Sequence, residues 1–390
     1  MSDNIQEIKT DEDKISRFRF GLGTAIVVVV MILISVFIYV RFIADRKYNT
    51  YEVIKSVTRD DDGNTKYVPY DKDKVIKYSR DGITAIGGDG NTVWSASYDM
   101  KNPMVVTCGE SVAVADIGNQ SLIIYDGKGN EDVVEILKPI ENVAVCSQGI
   151  AAVVVKDEEC NYIYICDGDT VYTEIKTRIK EDGYPVSIAY SPDGKKLVTG
   201  YVQVADESIK SMLTFYNFSE VGKEYDSDIV KAEDFGESII PRIAFVNDSN
   251  VAVFASNKAM VYEMKEIPKM IFETDDFSDS IKSVAWDSKY ISLITEDETQ
   301  GKKELKVYAL NGKQTGKHEV TINYKDMVMS GEDVILYNDS QIQVITKNGN
   351  EKVFLEENSQ VSYVMPYSGD DKYYLVNTDN INLIKLKRGK

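Results

Sequence analysis

Short apolar segments with alternating polar positions recur along most of the chain after residue 50. In AYSPDGKKLVTGY (Ala189–Tyr201), two such segments flank a Pro-Asp-Gly sequence, which is typical of two strands joined by a tight turn. Because side chains alternate between the two faces of a strand, this period favours β-structure over helix. The only strong helical signal lies in the apolar run at residues 21–40.

One strand type recurs, and its copies lie about 43 residues apart on average. Each copy is an apolar alternation followed by a turn. Its fourth residue is aromatic or apolar, namely Ile86, Tyr125, Cys166, Tyr216, Tyr262, Tyr308, Ile345 and Ile384 in the eight copies. A strongly apolar strand precedes most copies, as in VAVAD at Val112, and a more polar one follows, as in TVWSASYD at Thr92. Four strands in each repeat predict a β-propeller blade.

The repeat predicts an all-β chain that folds as a β-propeller of eight four-stranded blades, with seven blades as the alternative. A β-sandwich would also show many short strands, but not eight units in phase. The eighth unit ends near Lys390 without an outer strand, while TYEVIKSVT (Thr50–Thr58) precedes the first unit without a partner. We expect residues 50–58 to complete the last blade, because closure leaves no open edge.

Residues 21–40 carry no charge and are long enough to cross a hydrocarbon core of about 30 Å. A cleaved signal peptide would have a shorter apolar region that ends at a small-x-small site, and Phe42 does not fit that site. We therefore expect a transmembrane helix at residues 20–43, a short cytoplasmic tail at residues 1–19, and the propeller at residues 44–390. Basic residues flank both ends of the helix almost equally, so the positive-inside rule does not decide its orientation.

Single N-terminal anchors followed by one large domain mostly place that domain outside the cell. The protein is accordingly expected in the cell membrane as a single-pass protein with an extracellular C-terminal domain. The net charge of −18 makes nucleic acid an unsuitable partner, because binding to phosphate backbones needs clustered Lys and Arg. The four cysteines, at 108, 146, 160 and 166, form no CxxC pair and are expected to be unpaired thiols, so no metal site is predicted.

The sequence offers few residues for acid–base chemistry at neutral pH. The only histidine is His318, which falls in a polar outer-strand segment and is expected to be solvated. No Gly-x-Ser-x-Gly motif and no cofactor-binding motif is present, so no catalytic residue and no cofactor are predicted. The Asp-rich segments RDDDGN and YDGKGNED lack the spacing of a calcium loop and read as turns between strands.

Propeller geometry directs attention to the loops between the last strand of one blade and the first strand of the next. Four aromatic residues fall in these loops, namely Tyr98, Tyr184, Phe277 and Tyr324. If exposed, they would suit flat contacts with proteins or sugars, and the alternative is that they pack between blades. The longer hairpin of the fourth unit, VQVADESIKSM from Val202, is a further candidate because it is an insertion on one face.

Three resemblances support the fold. YSPDGKKLV is similar to the hairpin of WD40-like and TolB-like propellers, and ITAIGGDGNTVW is similar to a quinoprotein-type repeat. From KYSRDGITAIGGDGNTVW through MLTFYNFSEVG, together with the tail and the anchor, the chain resembles a clostridial family of membrane-anchored, propeller-like proteins of unknown function. That resemblance implies a Gram-positive envelope and assigns no catalytic residue.

The favoured function is a non-enzymatic, membrane-anchored binding or scaffold module of the bacterial cell envelope that engages a protein or glycan partner. One alternative is an envelope hydrolase that uses carboxylates in the central funnel, because the chain has 63 acidic residues. Another is an accessory subunit of a membrane complex, in which the transmembrane helix itself makes contacts.

Overall fold

The computed structural model describes residues 27–35, 37, 47–59, 64–71, 73–205, 208–275, 277, 280–297, 299–367 and 371–389. The chain divides into two compact units, Met1–Lys47 and Tyr48–Lys390. In the first unit, residues 27–35 are helical. The predicted tail at residues 1–19 lies outside the described residues, as do residues 20–26, 36 and 38–43 of the predicted transmembrane helix. Within the described ranges, no helix has the length and apolarity needed to cross a membrane.

The second unit consists of eight four-stranded antiparallel sheets, which confirms the eight-bladed propeller and makes the seven-bladed alternative wrong. Blades 1 to 4 contain β2 (Lys66–Tyr70), β3 (Lys74–Tyr78), β4 (Gly82–Ile86), β5 (Thr92–Ser97); β6 (Pro103–Cys108), β7 (Ser111–Asp116), β8 (Ser121–Tyr125), β9 (Glu131–Glu135); β10 (Ile140–Val145), β11 (Ala151–Lys156), β12 (Cys160–Asp167), β13 (Thr170–Arg178); β14 (Tyr184–Tyr190), β15 (Lys196–Ala205), β16 (Ser208–Asn217) and β17 (Ile229–Gly236).

Blades 5 to 8 contain β18 (Arg242–Phe245), β19 (Asn250–Phe254), β20 (Ala259–Glu263), β21 (Lys269–Glu273); β22 (Ser280–Trp286), β23 (Tyr290–Glu296), β24 (Lys303–Ala309), β25 (Gln314–Val320); β26 (Asp326–Ser330), β27 (Asp333–Tyr337), β28 (Gln341–Thr346), β29 (Glu351–Glu356); β30 (Val361–Pro366), β31 (Lys372–Asn377), β32 (Asn380–Lys387) and β1 (Thr50–Thr58). Two short 3-10 turns, Gly222–Glu224 and Asp226–Asp228, lie between β16 and β17.

The outer strand of the last blade, β1, comes from the N-terminal end of the propeller sequence, and the other three strands come from its C-terminal end. β1 pairs antiparallel with β32, from Thr50 opposite Lys387 to Thr58 opposite Asn380, and the sheet order is β1-β32-β31-β30. One hydrophobic cluster then joins blades 7, 8 and 1 through buried residues such as Ile335, Leu375 and Val75. The ring is therefore closed both by backbone pairing, which gives blade 8 its fourth strand, and by side-chain packing between blades 7, 8 and 1.

The eight repeated residues all occupy the third strand of a blade and all are buried. In seven blades, a β-bulge on the outer strand lies beside this residue, as between Ala85 and Ile86 or between Phe215 and Tyr216. A bulge increases local twist, so its recurrence helps each outer strand to follow the twisted blade.

The turn in the SPDGKK segment connects three blades. Gly194, with φ +67°, allows the tight reversal between β14 and β15, a conformation that other residues rarely adopt. Ser147 Oγ of blade 3 donates to the carbonyl oxygen of Pro192 at 2.6 Å. The buried Lys196 Nζ donates to Asp193 Oδ2 at 2.6 Å and to the carbonyl oxygen of Asp248, in blade 5, at 2.9 Å. The turn therefore contributes to packing between blades as well as reversing the chain.

The same contacts change the acidity of Asp193. Burial alone would raise the pKa of this carboxyl, but hydrogen bonds from Lys196, from the Ser191 hydroxyl and from the Lys195 amide outweigh burial and lower it. The charged form is therefore favoured in the folded state. The cysteines are free thiols, with Cys108 half-buried and the other three buried, which confirms that prediction.

Candidate functional site

The antiparallel order of each blade defines two faces of the propeller. First strands all run in the same sense, so the loops between blades and the turns between second and third strands lie on one face, which we call the interblade face. The turns between first and second and between third and fourth strands lie on the opposite face. The four predicted aromatic residues belong to the interblade face.

Three of these four aromatic residues pack into the blades. Tyr98 lies after β5 against the blade 1–2 cluster, and Phe277 lies before β22 against the blade 5–6 cluster, with Lys306 Nζ 4.4 Å from its ring centroid. Tyr324 lies before β26, and its hydroxyl is 2.8 Å from Ser283 Oγ. Tyr184, the first residue of β14, is different because 41% of it is exposed. The four residues lie at four separate blade junctions and do not form one surface.

Blade 4 departs from the repeat where Tyr184 lies. Its two middle strands, β15 and β16, have ten residues each and pair as far as Ala205 opposite Ser208. Pairing with β14 ends at Val202, and pairing with β17 ends at Ser211. Residues 203–205 and 208–210 therefore form a two-stranded extension without a third strand in the described part of the chain. We call this extension the blade-4 ribbon.

One side of the ribbon is apolar and exposed. Val204 lies directly opposite Ile209, and cross-strand partners project from the same side of a ribbon. Tyr184 pairs with Val202 and therefore lies on this side as well. The adjacent loop to blade 5 adds Ile239. Exposed fractions are 72% for Val204, 38% for Ile209 and 37% for Ile239. We call Tyr184, Val204, Ile209 and Ile239 the apolar ridge, and such clustering of exposed apolar side chains is typical of an interaction surface.

The other side of the ribbon borders a groove of about 720 Å³ between blades 3 and 4. β13 forms one wall, and residues of β15, β16 and β17 form the other. At its base, the hydroxyls of Tyr201 and Tyr216 are 2.8 Å apart, and both side chains are buried. Burial raises the pKa of Tyr216 to about 12 and raises the pKa of Tyr201 well above its usual value. Both hydroxyls are therefore neutral at physiological pH.

The groove is acidic. Its lining includes six carboxylates and three cations, namely Glu174, Glu181, Asp182, Asp226, Asp228 and Asp234 with Lys176, Arg178 and Lys210. Arg178 forms an ion pair with Glu181, and its amide donates to Asp182 at 2.8 Å, so part of this charge is already compensated. The groove thus offers net negative charge to a ligand.

His318 differs from the solvated residue that the sequence predicted. It lies on the outer strand β25 as expected, but it is half-buried, and its Nδ1 is 3.0 Å from the carbonyl oxygen of Gly349 in blade 7. The expectation of a solvated side chain was wrong because the outer strands of blades 6 and 7 approach each other there. In YDGKGNED, Asp126 accepts bonds from the Lys128 and Asn130 amides and closes its own turn. Among the described residues, no group of three or more His, Cys, Asp or Glu could hold a metal ion.

These features define a closed eight-bladed β-propeller in which one blade carries an extension on one face. The chain belongs to a family of unknown function (DUF5711), whose model matches residues 44–386. Among solved structures, it is similar to BamB from Moraxella catarrhalis, with a TM-score of 0.53, 12% identity and coverage of 86% of this chain and 100% of BamB. It is also similar to the Neurospora crassa Pan2 WD40 domain, with a TM-score of 0.44, 9% identity and coverage of 74% and 90%. No protein with a curated description matches the chain.

Proposed function

We propose that this protein is a membrane-anchored propeller of the bacterial cell envelope that binds a protein partner through blade 4. The observation that carries the proposal is the blade-4 ribbon, where Val204, Ile209 and Tyr184 expose apolar surface and β15 and β16 extend beyond their pairing with β14 and β17. The proposal assigns no catalytic role to any residue. It chooses a protein over a glycan because aliphatic side chains on a ribbon suit protein contacts better than sugar hydroxyls.

The ribbon and the groove together indicate the chemistry of the partner. A two-stranded extension that has no third strand in the described part of the chain is suited to strand addition, in which backbone hydrogen bonds supply affinity and side-chain contacts supply specificity. The groove next to it is acidic, in a chain of net charge −18. A partner segment that is extended, partly apolar and basic would satisfy both surfaces, because opposite charges speed encounter and fix register.

Anchoring and location belong to the same proposal. The uncharged run at residues 21–40 supports a single transmembrane helix, and the general behaviour of such anchors supports an external propeller. The resemblance to clostridial anchored propellers supports a Gram-positive envelope. Protease treatment of intact cells tests this part separately: cleavage of the C-terminal domain before lysis supports an external propeller, whereas protection until lysis contradicts it.

A photocrosslinking amino acid placed at Val204 of the full-length chain, in the cells that make the protein, tests partner binding. We expect one discrete protein adduct, which Ile209→Asp should reduce at least tenfold. The matched control is the same crosslinker at Val133, which is 58% exposed on the outer strand of blade 2. Equal adducts at both positions, an adduct that Ile209→Asp leaves unchanged, or a carbohydrate adduct alone would contradict a protein-binding ribbon.

A further inference from the structure

The propeller encloses a cavity that is distinct from blade 4's ribbon and groove. Its volume is about 660 Å³, and its lining comes from the first strands of six blades, β2, β6, β18, β22, β26 and β30. Because the first strand is the innermost strand of each propeller blade, this space lies on the central axis. We call it the axial cavity. Its volume falls within the range of about 300–1,000 Å³ that is typical of small-molecule sites.

The axial cavity is lined by apolar and aromatic side chains, and polar atoms contribute a similar share of its exposed surface. Aliphatic and methionine side chains such as Val106, Val284 and Met365 alternate with Tyr67, Tyr363 and Trp286. Three lining residues carry charge: Arg242, Asp71 and Asp326. A lining that combines apolar side chains with polar and charged groups is suited to an organic molecule that carries a polar group.

The two carboxylates of the cavity already have partners. Asp71 forms an ion pair with Lys74 at 3.4 Å. Asp326 accepts hydrogen bonds from the Tyr337 hydroxyl at 3.1 Å and from the Met327 amide at 2.8 Å. Neither carboxylate lies within ion-pair distance of Arg242. The negative charges therefore do not neutralise the arginine.

Arg242 makes a cation–π contact with an aromatic ring and no ion pair with a carboxylate among the described residues. Its guanidinium carbon is 5.2 Å from the centroid of the Trp286 ring, and no carboxylate among the described residues forms an ion pair with it. Arg242 is exposed to solvent, and desolvation by the protein atoms around it lowers its pKa from the usual value. An exposed guanidinium without a carboxylate partner among the described residues is available to an anion, and a carboxylate or phosphate beside it would form a charge-assisted hydrogen bond.

The chemistry of the guanidinium also suits recognition of an oxyanion. Its planar N–H edge matches the two oxygens of a carboxylate or a phosphate. Lysine would supply the charge without this planar geometry. The apolar walls around the arginine would accommodate an organic body attached to the anionic group.

We propose that the axial cavity binds a small organic oxyanion, a molecule with a carboxylate or phosphate group held by Arg242 against Trp286. The site does not depend on partner binding at blade 4, so either assignment can fail without the other. Trp286 also supplies the signal for a test, because the chain contains only one other tryptophan, Trp94.

The experiment titrates the full-length chain with benzoate and with phenyl phosphate at constant ionic strength, in a Trp94→Phe background, and follows Trp286 fluorescence. We expect a saturable change with at least one probe, and the responding probe identifies the anionic group. Arg242→Met, which retains side-chain volume without charge, should weaken binding at least tenfold. Arg242→Lys should weaken it less, and Arg80→Ala, at an exposed arginine outside the cavity, should leave it unchanged.

The outcomes separate a specific site from general charge effects. A saturable response that both Arg242 variants weaken, with Arg80→Ala equal to wild type, supports the site. No saturable response to either probe overturns it. Equal responses of wild type, Arg242→Met and Arg80→Ala also overturn it, because binding then does not involve the arginine. Circular dichroism of each variant ensures that only folded proteins are compared.

Discussion

Blades 2 and 4 follow the same four-stranded pattern but differ at the ends of their strands. In blade 2 the strands have five or six residues, and every residue of β7 is buried. In blade 4 the middle strands have ten residues, and residues 218–228 with two 3-10 turns separate the third strand from the fourth. Yet Tyr125 and Tyr216 occupy the repeated third-strand position in the two blades, and both are buried.

The comparison shows where a propeller can accept additional chain. Each blade packs against two neighbours, so the middle of its strands is constrained in length and in apolar pattern. The strand ends lie on the two faces and are free of that constraint, because loops there meet solvent. In blade 4 the extended strand ends expose apolar side chains, and such exposure contributes nothing to packing between blades. Three predictions follow from the contrast, in order of effect.

The largest expected effect concerns the two turn aspartates. Asp193→Ala should lower the free energy of unfolding by about 2 kcal/mol, because it leaves the buried Lys196 without its carboxylate, although Lys196 keeps the Asp248 carbonyl. Asp126→Ala, in the exposed turn between β8 and β9 of blade 2, removes only local turn hydrogen bonds and should cost about 1 kcal/mol. Urea denaturation at pH 7 measures both.

The pH dependence of this difference follows from the lowered pKa of Asp193. A carboxyl with a lowered folded-state pKa contributes stability that is present above its unfolded pKa of about 4 and is lost as pH falls further. The difference in free energy of unfolding between wild type and Asp193→Ala should therefore narrow below about pH 4. If this difference is constant down to pH 2, or if Asp193→Ala and Asp126→Ala lower the free energy of unfolding equally at pH 7, the blade 4 turn has no special role in stability.

The second prediction concerns the paired tyrosines of the groove. Tyr216→Phe removes one hydroxyl of the Tyr201–Tyr216 pair and should cost about 1 kcal/mol. The double variant with Tyr201→Phe should cost less than the sum of the two single variants, because no hydroxyl of the pair is then left behind. Urea denaturation of wild type, both single variants and the double variant at pH 8 provides this double-mutant cycle. If the losses of unfolding free energy in the two single variants add up to the loss in the double variant, the two hydroxyls are not directly coupled.

Alkaline pH gives a further test of this pair. Because the pKa values of both tyrosines are raised in the folded state, their contribution to stability is complete below the unfolded pKa of about 10 and declines as pH rises above it. The double phenylalanine variant should lose less stability than wild type between pH 10 and 11. Tyr172→Phe, at a residue 79% exposed, is the control and should behave as wild type.

The smallest expected effect on stability comes from removing the blade-4 ribbon. Replacing residues 203–210 with Asn-Gly joins the Val202–Ser211 pair through a two-residue turn and leaves every four-stranded pairing intact. The free energy of unfolding should change by less than about 0.5 kcal/mol, as is usual for exposed positions. Thermal unfolding measures this, and a large loss would mean that the ribbon supports the blade and not a partner.

Much of the fold could be predicted because each repeat unit is marked by local sequence features, namely apolar–polar alternation and turn residues. All eight repeated residues fall on third strands, and the SPDGK turn joins β14 to β15 as expected. The missed features are the recurrent bulges on the outer strands, which have no consistent residue signature at Val93, Tyr172 or Thr315. A bulge depends on twist and pairing between strands, and these properties are not local.

The candidate site was less predictable. Tyr98, Tyr184, Phe277 and Tyr324 share a position in the repeat, but only packing distinguishes the exposed Tyr184 from the three others. The length of the hairpin at Val202 was the one signal in the sequence that pointed to the ribbon. Nothing in the sequence connects Arg242 to Trp286, because they lie on the first strands of different blades.

The sequence alone determined the β-propeller, the spacing of its units and the strand available to close it, because alternation and turn residues act over short distances. The tertiary structure alone decided which side chains are exposed on blade 4, that Arg242 in the axial cavity has no ion-pair partner among the described residues, and that His318 is half-buried against blade 7. These properties depend on how neighbouring blades approach one another, and each depends on residues far apart in the chain.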